Sequence, residues 1–71
     1  MTGFLLCPQC GAPLFFVEDE RGVRLYFHVG RDRDVQPTKP EHERAQQLAG
    51  GEIRCTGCSW RGSLNRLRER V

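Results

Sequence analysis

Long apolar runs are missing from this sequence of 71 residues. Before the first cysteine only Phe4, Leu5 and Leu6 are consecutively apolar, too few for the core of a signal peptide or for a membrane span. The expectation is a cytoplasmic protein, in a compartment where thiols stay reduced, with no membrane partner. Also missing are a glycine-rich loop to cradle phosphate and a nucleophile with a base at motif spacing. So short a chain has little from which to line a large cavity. Neither an enzyme nor a small-molecule substrate is expected. A strong charge of one sign is absent too, since 11 Lys and Arg against 9 Asp and Glu leave a formal net charge of +2.

A chain this short makes one domain, residues 1–71, and buries only roughly 60% of the surface its unfolded form exposes. A hydrophobic core alone leaves it marginal, so a covalent or metal staple is expected. The cysteines supply the candidates. Cys7 and Cys10 form one C-x-x-C pair, Cys55 and Cys58 form another, and no fifth cysteine is left over. Reduced thiols in two such pairs offer the four thiolates that close a tetrahedral structural zinc shell.

Two residues between ligands let a tight turn aim both sulfurs at one point. Gly11 suits the positive φ that follows such a turn, Pro8 stiffens it, and Gly57 is expected to give the second turn similar freedom. Closing the long loop between the pairs costs a few kcal/mol, against roughly 10–16 kcal/mol for structural zinc in finger peptides. One structural Zn²⁺ on Cys7, Cys10, Cys55 and Cys58 is therefore the expected cofactor, although the same four sulfurs also suit iron. A catalytic zinc keeps an open position, and four thiolates leave none. His28 and His42 are accordingly read as surface histidines rather than ligands. A thioredoxin-like redox motif needs one pair in a βαβ setting, which neither pair has.

CPQCG followed by an apolar hairpin, then a strand running into CTGCSWRG, resembles the zinc ribbon family. The resemblance implies a structural zinc held by those four cysteines across a small antiparallel sheet. Family members serve in RNA polymerase subunits, transcription factors and ribosomal proteins, so no single function follows. The separation of the two half-sites exceeds the common ribbon spacing and implies a long insertion, at about residues 30–51.

The segment PLFFVEDERGVRLYFHV predicts a β-hairpin, with strands near 13–18 and 23–29. A three-residue loop of Glu20, Arg21 and left-handed Gly22 sets Asp19 opposite Val23 and Phe15 opposite Phe27. Phe15, Val17, Val23, Leu25, Phe27 and Val29 then share the core face, and Phe16, Arg24, Tyr26 and His28 the other. A two-residue loop would shift this register by one. RDRDVQPTKP, charged and broken by prolines, reads as an exposed loop rather than a third strand.

Thr38 and Glu41 have capping-box spacing, predicting a helix over about 39–49 that Gly50 and Gly51 end. Its mostly alanine stripe should lie on the sheet without burying much. Glu52–Cys55 should return as a strand, and Trp60 should pack over the metal site and the hairpin core. Ser63 with Leu64, Leu67 and Val71 allows a short terminal helix. The expected fold class is thus a small α+β metal-bound domain: a zinc ribbon of hairpin and returning strand, with one inserted helix.

Four thiolates and one divalent ion together cancel the formal +2. Asymmetry remains. From residue 53 onward there are five arginines and one acid, Glu69, whereas the hairpin turn carries Glu18, Asp19 and Glu20. That arginine-rich end, with the strand face of Arg24, Tyr26 and His28, can engage phosphates and unpaired bases. The same residues also read as an ordinary solvated face. The functional expectation is a non-enzymatic recognition module that docks on a protein complex or on RNA or DNA. A thiol redox or metal-handling protein is the alternative, and a small accessory subunit with Phe16 and Tyr26 at its partner surface is a third.

Overall fold

Alternating apolar residues around a polar turn form the expected hairpin in the computed structural model, which describes residues 3–69. Strand β1 (Leu14–Glu18) pairs antiparallel with β2 (Arg24–Val29), and Phe15 lies opposite Phe27 as the three-residue loop requires. Gly22 has φ 80°, its N–H donates to the Asp19 carbonyl at 2.9 Å, and Asp19 N–H reaches the Val23 carbonyl at 3.0 Å. Only a residue without Cβ adopts that φ freely. The Asp19 carboxylate holds the turn from inside, accepting from the N–H groups of Arg21 and Val23, both at 2.9 Å. Val23, expected on the core face, is exposed, lying in the turn just before β2.

The charged segment after Gly30 is not merely a loop. It makes strand β3 (Val35–Pro37), paired antiparallel with the far side of β2, which corrects the expectation for this stretch. Its turn repeats the first one. Arg33 has φ 62°, Arg33 N–H donates to the Gly30 carbonyl at 2.8 Å, and Gly30 N–H donates to the Asp34 carbonyl at 2.9 Å. Pro37 survives in the ladder for a geometric reason. Gly30 bonds Asp34 and Thr38 N–H bonds the Tyr26 carbonyl, so the Phe27–Pro37 pair between them falls at a non-hydrogen-bonded position, where proline loses no donor.

The predicted long helix is reduced to a 3₁₀ turn, Pro40–His42, and a single-turn helix α1 (Ala45–Leu48). Thr38 does not cap it, because its N–H and its hydroxyl both donate to the Tyr26 carbonyl, and Lys39 takes the N-cap position without a side-chain bond. Ala45 and Ala49 are buried against the sheet, as the small apolar stripe implied.

Strand β4 (Ile53–Cys55) returns beside β1, with Phe15 opposite Cys55 and Phe16 opposite Arg54. An unforeseen strand β5 (Arg61–Gly62) then pairs with β4, giving a five-stranded antiparallel sheet in the order β3-β2-β1-β4-β5. The terminal helix is corrected as well. One 3₁₀ turn, Leu64–Arg66, leads into extended chain in which Leu67 is buried and Arg68 pairs with Leu6 through two bonds of 2.7 and 2.9 Å. Burying Leu67 in the core and pairing Arg68 with the N-terminal segment outweighs the weak helical preference of so short a run. Val71, the last residue of the predicted helical pattern, lies outside the described residues.

One face of the sheet carries the core. Leu5, Phe15, Phe27, Val29 and Ile53 are fully buried there, joined by Leu25, Val17 and Leu67 and by the thiol residues Cys7 and Cys55. Each large side chain so buried contributes roughly 1.5–3 kcal/mol. The N-terminal segment is sewn to both sides of this core: Leu5 N–H donates to the Val29 carbonyl at 2.7 Å, and Leu6 pairs with Arg68. Cys7 follows directly from that anchored stretch. Among the described residues no helix is long and apolar enough to cross a membrane.

Candidate metal centre

Both cysteine turns are short, and each is set by the chain immediately around it. In the first, Gly11 N–H donates to the Cys7 carbonyl and Cys7 N–H to the Ala12 carbonyl, both at 2.9 Å, and Gly11 takes φ 81° as its position after the turn predicted. The second turn is the connection between β4 and β5, closed by a bond of 3.0 Å from Cys55 N–H to the Trp60 carbonyl. Thr56 ties it to β1, its hydroxyl donating to the Leu14 carbonyl at 3.0 Å.

Gly57 serves this turn through space rather than through backbone freedom. Its φ lies outside the left-handed region, and a Cβ there would stand 3.1 Å from the Ala12 Cβ and 3.3 Å from the Cys10 sulfur. The two half-sites are pressed together at this point.

All four sulfurs, of Cys7, Cys10, Cys55 and Cys58, lie within 4.8 Å of one another. Two contacts run between the half-sites, 3.6 Å from Cys7 to Cys58 and 3.5 Å from Cys10 to Cys55. Zinc–sulfur bonds of about 2.3 Å in a tetrahedron place sulfurs about 3.8 Å apart, so the donor set fits such an ion closely. Backbone N–H groups point at the sulfurs, among them Gln9 at Cys7 (3.4 Å), Gly57 at Cys55 (3.3 Å) and Trp60 at Cys58 (3.5 Å). Donors in this arrangement spread thiolate charge.

The thiols do not share one acidity. Burial raises Cys7, but N–H groups of Cys10 and Gln9 and the thiols of Cys55 and Cys58 outweigh it, leaving a pKa lowered to about 7. Burial pushes Cys55 up to about 12; Gly57 N–H opposes this, while Cys10, Cys7 and Cys58 add to it. Cys58 is raised too: the Trp60 N–H lowers it, but burial and the thiols of Cys10 and Cys7 outweigh that and the further lowering by the Cys55 thiol. One sulfur ionises easily because its neighbours donate to it, while burial and its hydrogen bonds to the other thiols make Cys55 resist. A cation removes that resistance, and its binding releases protons.

Neither histidine joins the cluster. His42 Nδ1 accepts from Tyr26 N–H at 3.1 Å, and His28 contacts the Pro13 carbonyl at 2.9 Å while stacking on Phe4, ring centroids 4.4 Å apart. Trp60 packs edge-on to Phe15 with centroids at 6.3 Å, joining the cysteine cluster to the hairpin core as expected. Phe16, expected on a partner surface, is buried instead: it lies beneath the Arg24 guanidinium, 4.9 Å from its ring centroid, and against Tyr26. The contributions of Trp60 N–H and of β5 escaped the sequence reading. A two-residue strand has no periodicity to detect, although glycine after the second cysteine pair offered a weak turn signal.

The described residues thus form a small antiparallel sheet, one short helix and a cluster of four cysteines able to hold a metal ion. No family model, curated protein or solved structure matches the chain.

Proposed function

We propose that Cys7, Cys10, Cys55 and Cys58 hold one structural zinc ion in a zinc-ribbon-like fold, and that the protein is a non-enzymatic recognition module of the cytoplasm. It docks on a protein complex or a nucleic acid. The observation that carries this reading is the convergence of four sulfurs from opposite ends of the chain on one point. The ion supplies a clamp there, tying the first turn to the β4–β5 connection.

Thiol redox work is not favoured, since all four sulfurs converge on one point instead of forming two separate dithiols. A pull-down from native extract, with and without nuclease, tests the docking role. Capture of a defined complex or of nucleic acid supports it. Thiols that label readily before any chelator is added contradict it in favour of redox chemistry.

A further inference from the structure

One row across the outer face of the sheet comes from four separate strands. Tyr26 lies opposite Phe16, Phe16 opposite Arg54, and Arg54 opposite Arg61. An aromatic pair therefore adjoins a pair of cations. Like charges directly opposite one another on neighbouring strands are destabilising, so folding sets these guanidiniums side by side without benefit to the sheet. Glu18 answers them only in part, shared between Arg24 at 3.7 Å and Arg54 at 3.8 Å on an exposed surface. Among the described residues no carboxylate lies within ion-pairing distance of Arg61.

The sulfurs are not the missing partner either, because their donors are backbone N–H groups and, among the described residues, no guanidinium donates to them. These arginines instead border a cleft of about 290 Å³, lined also by Phe16, Trp60, Cys55 and Cys58.

We propose that this cleft binds the backbone phosphates of a single-stranded nucleic acid, Arg54 and Arg61 taking the phosphate oxygens while unpaired bases lie on Trp60 and Tyr26. This deepens the recognition-module reading and rests on it. Guanidinium is a planar fork that takes phosphate oxygens in pairs. The two forks rise from adjacent strands whose backbones run roughly 5 Å apart. Aromatic side chains accept the π-face of any unpaired base, whereas a duplex keeps its bases stacked inside. An acidic peptide meets the arginines but leaves the aromatic faces unused.

Trp60 is the chain's single tryptophan, so its fluorescence reports on the cleft directly. The zinc-loaded full chain is titrated with a short oligouridylate at several salt concentrations, beside two double variants. Saturable quenching is expected, with affinity falling with salt at a logarithmic slope of roughly −1.4 for two phosphates. Arg54→Gln with Arg61→Gln should weaken binding about tenfold or more. Arg31→Gln with Arg33→Gln, which removes the same charge from the distant β2–β3 turn, should weaken it less than about threefold.

Equal losses in the two double variants would overturn the proposal in favour of bulk charge. Polyglutamate binding as tightly as the oligonucleotide would overturn it in favour of an acidic protein partner. Absence of saturable quenching in a metal-loaded, folded protein sinks the nucleic-acid assignment alone. A purified protein without metal sinks the reading beneath it.

Discussion

Phe15 stands directly opposite Cys55 in the β1–β4 ladder. The same phenylalanine is fully buried and meets Phe27 across the other ladder, so one residue couples the hydrophobic core to the second half of the cysteine cluster. Phe15→Ala should cost about 3–5 kcal/mol of stability. It should also loosen metal affinity, because Cys55 loses the neighbour that fixes its strand. Denaturant unfolding and chelator competition measure the two effects on the same sample.

Close approach at Gly57 leads to a sharper expectation for the site itself. Gly57→Ala places a methyl against Ala12 and the Cys10 sulfur, and overpacking of this kind costs roughly 1–3 kcal/mol. The half-sites must separate to admit it. Metal affinity should fall about tenfold in competition with a chromophoric chelator, with little change in the hairpin.

The two hairpin turns have one geometry and different residues at the left-handed position, Gly22 in the first and Arg33 in the second. Gly22→Ala should destabilise by about 1 kcal/mol. Arg33→Gly should stabilise by roughly 0.5–1 kcal/mol, since relief of left-handed strain exceeds the added chain entropy. Opposite shifts in thermal midpoint check both.

Asp19 gives the fold an acid-sensitive element. Its carboxylate is only 3% exposed and its pKa is lowered, first by the Val23 N–H, against some desolvation, and then by the N–H of Arg21 and the charges of Arg21 and Arg44. A depressed folded pKa means that the contribution is present above the unfolded value, about 3.9, and is lost as pH falls through the folded one. Asp19→Asn should therefore melt lower than wild type at neutral pH, and the gap should narrow on acidification. Metal release on acidification is common to both proteins, so the difference isolates Asp19.

How far the sequence alone leads is seen in those same turns. The first was readable because Gly22 stands where positive φ is needed and apolar residues alternate on both sides. Its twin was hidden because Arg33 advertises no such conformation, and Asp32, Asp34 and Pro37 argue against a strand until the register shows Pro37 at a position that needs no donor. Thr38 misled for a related reason. Its spacing to Glu41 suits a cap, but the β-ladder claims it first. The cysteine cluster was readable in full, since ligand type and spacing are local. What aligns its halves, the β1–β4 register, the Thr56 bond and the packing of Gly57 on Ala12, is tertiary and has no local signature.

Elemental content before and after chelation bears most directly on the clamp between the two ends of the chain. Protein purified under reducing conditions should carry one zinc per chain, without the visible absorption of an iron–sulfur site. Stripping it with EDTA should abolish the cooperative thermal transition seen by circular dichroism, and restoring zinc should bring it back. A metal-free protein that unfolds at the same temperature with or without EDTA would contradict the account.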